Sequence, residues 1–279
     1  MSRAWKQAMA GLAMVIPSFA ILLAVVIIPI IQSLFMSLSN GAGGYDLSRY
    51  QLLFTDKGLR ANILFTLRIT LITCAFVLLI SYVLAVYMRF NKGPIVELIR
   101  KTYMIPLFIP GVIATYGLIN LLGNHGWLAR WLDGTGLVLP RIIFDEKGII
   151  IANLWFNIPF TTMLLSSALA GIPASVIESA KDVGAGKLQL FTRFVFPLTY
   201  KTFLVALTFV FMGVIGSFTA PFLLGANSPQ MLGVSMQQVF SVFQEREQAA
   251  AMAFFSFLLC SVLGAFYIRS MAREENVKM

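Results

Sequence analysis

Charge is what this sequence has least of. Only 12% of its 279 residues are Asp, Glu, Lys or Arg, against about 25% in an ordinary soluble domain. Hydrophobic residues make up 58% and the mean hydropathy is +0.84. A water-soluble globule is excluded, and the chain reads as an integral membrane protein. Histidine is represented by His125 alone and cysteine by Cys74 and Cys260. Both cysteines fall inside apolar runs, where a small buried hydrophobe is the expected role. No metal-ligand spacing and no disulfide framework can be drawn from so few residues, and His125, with no Ser or Cys partner in any motif, reads as a solvated loop residue. A phosphate-binding loop of the form G-x-x-x-x-G-K-[ST] is missing too. Its glycines serve to bring backbone N–H groups onto phosphates, whereas at Gly186-Lys187 the first glycine position is Lys181 and the hydroxyl position is Leu188. The chain is not expected to hydrolyse ATP, to be an enzyme, or to hold a cofactor or a metal.

Long apolar runs are abundant. A span needs roughly 20 predominantly apolar residues at about 1.5 Å each, and six runs qualify, at about residues 9–38, 61–88, 102–122, 148–170, 202–224 and 249–268. The first is long enough to tilt, to kink at Pro17 or Pro29, or to begin as an interfacial helix. It follows Arg3 and Lys6 like a signal peptide, but it is about twice as long as such an apolar region and lacks a convincing small-residue cleavage site, so an uncleaved span is expected. The third holds Pro106, Pro110 and Gly111, all of which loosen a helix. None of the twelve acidic residues lies within these runs. That argues against a self-sufficient transporter driven by protons, which places ionisable groups inside the bundle.

Orientation follows from Lys and Arg. With the N-terminus inside, the inner segments hold Arg3, Lys6, Arg89, Lys92, Arg100, Lys101, Lys181, Lys187, Arg193, Lys201, Arg269, Arg273 and Lys278, thirteen in all. The outer segments hold seven, namely Arg49, Lys57, Arg60, Arg130, Arg141, Lys147 and Arg246. Both termini are expected in the cytoplasm, and the formal charge of +9 requires no nucleic acid. The expected architecture is all-α, about six transmembrane helices in a single domain over residues 1–279, with one sizeable cytoplasmic segment at about 171–201.

That segment, between the fourth and fifth runs, is a capped hairpin in outline. Ser175-Val-Ile-Glu178 has the spacing of a capping box and predicts a helix start. Gly184 is placed to end that helix in the left-handed conformation, Gly186 permits a second turn, and Leu188, Phe191, Phe194 and Val195 recur at helical spacing before Pro197, which is expected to close the second helix.

Glu178, Ala180, Gly184 and Pro197 also stand at fixed offsets, in the pattern ESA-KDV-G, nine residues, FVFP. This resembles the EAA loop of permease subunits of type I, binding-protein-dependent ABC importers. Ser179 departs from the pattern by one small residue for another, and Phe194 and Phe196 stand where aliphatic residues are usual. GSFTAPFLLGAN, Gly216 to Asn227, followed by MLGVSMQQ, resembles the spermidine and putrescine branch, with relatives handling opines, aminoethylphosphonate and other small solutes. The resemblance implies a permease in a bacterial cytoplasmic membrane. It implies two copies of a separate ATPase, a second and different permease chain, an extracytoplasmic binding protein, and a hairpin that seats in a groove on the ATPase through Glu178, Ala180 and Gly184. The apolar ridge of Leu188 and Phe191 suits the same groove and suits packing on the permease body equally well. For the translocation path the candidates are Arg68, the one charge within a run; the aromatic faces of Tyr82, Tyr116 and Trp155, which can hold a cation; and Gly216 with Gly213. Arg68 is read in two ways, as snorkelling to the outer interface or as lining the path, where it would favour an anion.

Overall fold

The computed structural model describes residues 3–40, 43–133, 135, 140–226 and 228–275, with 3–8, 10 and 270–275 described in their backbone only. Lys278, in the orientation count, and Asn227, the end of GSFTAPFLLGAN, lie outside the described residues. The secondary structure described is helical: α1 Arg3–Leu22, α2 Ile28–Leu38, α3 Ser48–Thr55, α4 Lys57–Phe90, α5 Pro94–Thr102, α6 Gly111–Leu122, α7 Trp127–Leu132, α8 Glu146–Ala170, α9 Ala174–Asp182, α10 Lys187–Leu190, α11 Phe196–Ile215, α12 Thr219–Leu224, α13 Leu232–Ser241 and α14 Arg246–Glu275. Among the described residues five helices are long and apolar enough to cross a membrane, and six if the bent pair Pro94–Phe108 and Gly111–Leu132 counts as one.

The contacts divide the chain into two units. The first comprises residues 1–56 and 236–257. Its leading feature is the apolar helix Gly11–Leu38, which buries none of its most hydrophobic window against the chain. Pro17 is absorbed without a break, whereas ahead of Pro29 the helix widens into a π turn at Leu23–Ile27. Pro29 has no N–H to bond the preceding turn, and a wider turn accommodates the lost bond without stopping the helix. In the same unit the Ser37 and Tyr50 hydroxyls share a 2.6 Å hydrogen bond, fixing the turn from α2 into α3.

The second unit, residues 57–235 and 258–279, is built on α4, α8 and α11. The buried positions of α4 include Ile63, Thr66, Ile69, Thr70, Thr73, Val77, Ser81, Ala85 and Met88. They recur every three or four residues, the stripe of a helix with one packed face. Much of that stripe is Thr, Ser and Ala, and small side chains let helix backbones approach where lipid gives little hydrophobic drive for association. The remaining faces of α4 carry Leu64, Leu71, Leu79 and Val83, all exposed. Where α13 begins, its entry is pinned to α4: Asn62 Oδ1 accepts the Gln230 N–H at 2.8 Å, Asn62 Nδ2 donates to Ser235 Oγ at 3.1 Å, and Thr66 Oγ1 accepts the Leu232 N–H at 2.8 Å.

Two expected spans take a different form. The third is not one helix: a 3-10 turn at Ile105–Phe108 and the Pro110 N-cap separate α5 from α6, and the pair is bent by 110°. Pro106 and Pro110 both withhold the N–H that a continuous helix would need. The fifth begins earlier than residue 202. The helix is continuous over Lys187–Ile215 and ends at Gly216, after which Ser217 and Phe218 lead into the short α12.

Candidate functional site

The hairpin at 171–201 is present, though its construction differs from the expected one. The α8 helix ends as the Gly171 N–H donates to the Ser167 and Ala168 carbonyls at 3.2 Å. Pro173, at φ −60 and ψ 140, is the N-cap of α9, which starts at Ala174 with no side-chain cap. The Ser175–Glu178 capping box therefore does not form. A proline fixes φ for the N-terminal position and restricts the residue before it to extended backbone, so the helix starts ahead of Ser175.

The end of α9 is as the sequence predicts. Gly184 has φ +83, its N–H donates to the Lys181 carbonyl at 2.8 Å, and the Ala185 N–H donates to the Ala180 carbonyl at 3.0 Å. This pair of bonds is the Schellman closure. Gly186 follows in extended backbone, and its N–H donates to Gln189 Oε1 at 3.3 Å. Pro197 does not close the second helix. From α10 the chain passes through a π turn at Phe191–Val195 and continues into α11 with Pro197 in its first turn, the arrangement already met at Pro29. A proline there loses one bond, which the wide turn absorbs.

Burial separates the hairpin's faces. Ile177, Ala180, Leu190 and Val195 are buried in a cluster with Leu78, Tyr82, Ala85, Leu165 and Leu169. Ala180, expected at a partner interface, is 3% exposed and packs against α4 and α8. Its small size lets α9 lie close to its neighbours. Phe191 is half-buried, edge-on to the Tyr82 ring with centroids 5.6 Å apart, so this half of the proposed ridge also serves the body. Glu178, Ser179, Asp182, Val183, Gly184 and Leu188 are among the hairpin's exposed residues, as are Lys181 and Lys187, with Pro197 exposed farther along. Val183 is 83% exposed and Leu188 75%. Val183 escaped the sequence reading; an apolar residue just before a helix-ending glycine was the available signal. Arg89, read there only as a topological charge, donates from Nη2 to the Ile172 carbonyl at 2.9 Å and ties the α8–α9 turn to α4.

The path candidates do not converge on one place. Arg68 Nη2 lies 2.7 Å from Glu146 Oε1, so α4 and the first turn of α8 are joined by an ion pair. Tyr82 is buried beside the hairpin, its hydroxyl hydrogen-bonded to that of Thr199. It stands fourteen residues from Arg68 on α4, about 21 Å along the axis. Tyr116 on α6 and Trp155 on α8 are exposed. Gly216 caps α11 with φ −80, and a Cβ there would meet the Met212 carbonyl at 3.3 Å. A Cβ at Gly213 would lie 3.3 Å from Asn157 Oδ1, so this glycine serves the close packing of α11 on α8, whereas a Cβ at Gly111 would make an ordinary contact with Phe156 at 3.7 Å. Arg130 Nε donates to the His125 carbonyl at 3.1 Å. Among the described residues no group of three His, Cys, Asp or Glu is placed to hold a metal ion.

Comparison with known proteins gives this hairpin a context. Residues 77–273 match the family described as binding-protein-dependent transport system inner membrane component. The chain is 28% identical over 229 residues to a thiamine transport system permease protein of Haemophilus influenzae, covering 80% of this chain and 42% of that protein. It is 28% identical over 173 residues to a spermidine/putrescine transport system permease protein of Escherichia coli, covering 61% and 63%. The chain thus spans about half the length of these curated relatives. Its fold matches a chain of the crystal structure of a bacterial ABC transporter involved in the import of the acidic polysaccharide alginate, with a TM-score of 0.83, 19% identity, and coverage of 98% of this chain and 99% of that one. Five apolar helices and a bent pair among the described residues, a glycine-closed hairpin between α8 and α11, and a family match over most of the sequence agree: the chain belongs to the family of binding-protein-dependent transport system inner membrane components.

Proposed function

We propose that this chain is the transmembrane subunit of an ATP-driven importer, forming part of the path for a small solute handed over by an extracytoplasmic binding protein. The observation that carries the reading is the hairpin's exposed face, where Val183 and Leu188 stand out beside Glu178 and Asp182 on a support whose other side is buried. An apolar pair this exposed on a rigid support suits a groove on a partner. Two copies of a separate ATPase are the partners proposed for this face, with a second, different permease chain completing the path and lipid around both. The whole chain acts as one permease domain, with both termini in the cytoplasm. The solute is proposed to be polyamine-like, from the GSFTAPFLLGAN segment. The relatives named above are assigned to thiamine and to spermidine and putrescine, and Arg68, already paired with Glu146, offers little free positive charge to an anion.

Two experiments test the proposal. Cysteines introduced singly at Lys92, Lys147 and Lys187, with Cys74 and Cys260 replaced by alanine, are probed in intact cells with an impermeant maleimide. Position 147 is expected to react and positions 92 and 187 to remain protected; labelling at 187 without labelling at 147 would invert the topology. In liposomes, the chain alone is expected to give no concentrative uptake under an imposed proton or sodium gradient, whereas the complete complex requires ATP. Accumulation against a gradient by the chain alone, without nucleotide, would establish the rival reading, a self-sufficient secondary transporter.

A further inference from the structure

The second unit carries two adjacent cavities that share part of their walls. One, of about 700 Å³, lies along the side of the C-terminal half of α4, between Leu79, Val83, Tyr87 and the rings of Phe191, Phe196 and Phe203. Its wall is almost wholly apolar, and Leu79 and Val83 are well exposed. The other, of about 370 Å³, adds Lys181, Lys187 and Phe90. Val86, Asn91 and Phe191 line both. The result is a groove that starts beside Ala75, runs down α4 to its last turn, and ends between two lysines, one on each arm of the hairpin. From Ala75 to Asn91 is about 24 Å of helix, more than half of a hydrocarbon core about 30 Å thick.

An apolar slot longer than one leaflet of the core, open to the side and ending in two ammonium groups and an amide, is complementary in shape and charge to a phospholipid with an anionic headgroup. We infer that the groove binds one anionic phospholipid, with an acyl chain along Leu79, Val83 and Phe203 and the phosphate between Lys181 and Lys187. Basic pockets between membrane helices recognise such headgroups by this combination. The site is distinct from the proposed ATPase face, since neither Val183 nor Leu188 lines the groove, and it stands independently of that proposal. Because Lys181 closes α9 and Lys187 opens α10, one headgroup spans both arms of the hairpin and links them to the end of α4.

Native mass spectrometry of the purified full chain, titrated with phosphatidylglycerol or phosphatidylcholine of identical acyl chains, tests this. Wild type is expected to retain phosphatidylglycerol at a roughly tenfold or more lower concentration than phosphatidylcholine, as two lysines near a membrane surface allow. In the double variant Lys181→Gln, Lys187→Gln the two lipids should be retained alike. Val83→Trp, which fills the slot from its rim, should weaken retention of both. Equal retention of the two lipids by wild type would overturn the site, as would a preference that survives in the lysine variant or retention undiminished by Val83→Trp. Displacement of the lipid by glycerol 3-phosphate at equal concentration would mean a phosphate site without a lipid slot and would overturn it as well.

Discussion

Gly184→Val is expected to lower both solute transport and substrate-stimulated ATPase activity of the assembled complex by at least about tenfold, while the chain remains in the membrane. The sequence alone suggests a clash together with a backbone penalty. The structure removes the first part within this chain: a Cβ at Gly184 meets nothing within 4 Å. What remains is torsional. At φ +83 an L-residue carries about 1–2 kcal/mol of strain, and a β-branched one is a stronger outlier. Relief of that strain breaks the bonds from Gly184 and Ala185 back to Lys181 and Ala180 and moves Val183 relative to Leu188. Gly184→Asn provides the contrast, because Asn tolerates the left-handed conformation, and it should keep most of the activity. Normal stimulated ATPase activity in the valine variant would remove the hairpin from the mechanism. Loss in both variants would show that a partner requires the bare glycine surface.

The second large effect is expected far from the hairpin, at the entry to α13. In the double variant Asn62→Leu, Thr66→Val the amides of Gln230 and Leu232 lose the side-chain acceptors they have now. A buried amide left without an acceptor costs about 1–3 kcal/mol, and because the two sites are neighbours on α4 their effects need not add. Hydrogen exchange at the Gln230 and Leu232 amides should accelerate by roughly 5- to 100-fold, since each 1.4 kcal/mol is a factor of ten, with exchange in α8 little changed. Unaltered exchange at both amides would show that α13 is held by other contacts.

Hydropathy made the membrane class and the helical segments legible, because lipid demands about 20 apolar residues whatever they pack against. The glycine that closes α9 was legible for a related reason: a positive φ is a property of one residue and its immediate neighbours. Prolines misled in both directions. Pro173 fixed a helix start that S-x-x-E spacing placed later, and Pro197 was read as a stop although a π turn before it lets the helix through. Propensity rules describe a helix of uniform pitch and carry no term for a local widening. Ala180 was recognisable as a motif position, but a motif says which residue is needed and not which way it faces; its burial depends on Leu78 and Leu169, about a hundred and about ten residues away in sequence. The Arg68–Glu146 pair and the Asn62 and Thr66 contacts with the α13 entry join residues far apart in sequence, and no local pattern records such partners.

Because Pro197 does not interrupt it, the helix from Lys187 to Ile215 acts as a single beam, and its 29 residues are about 42 Å from end to end. One end is built into the hairpin; the other stops at Gly216, where α12 begins. A beam of that length, turned by about 10° about one end, sweeps the other through about 7 Å. A slight rocking at the hairpin end is thereby geared up into a displacement wider than a water molecule at the Gly216 end, with no break in the helix along the way.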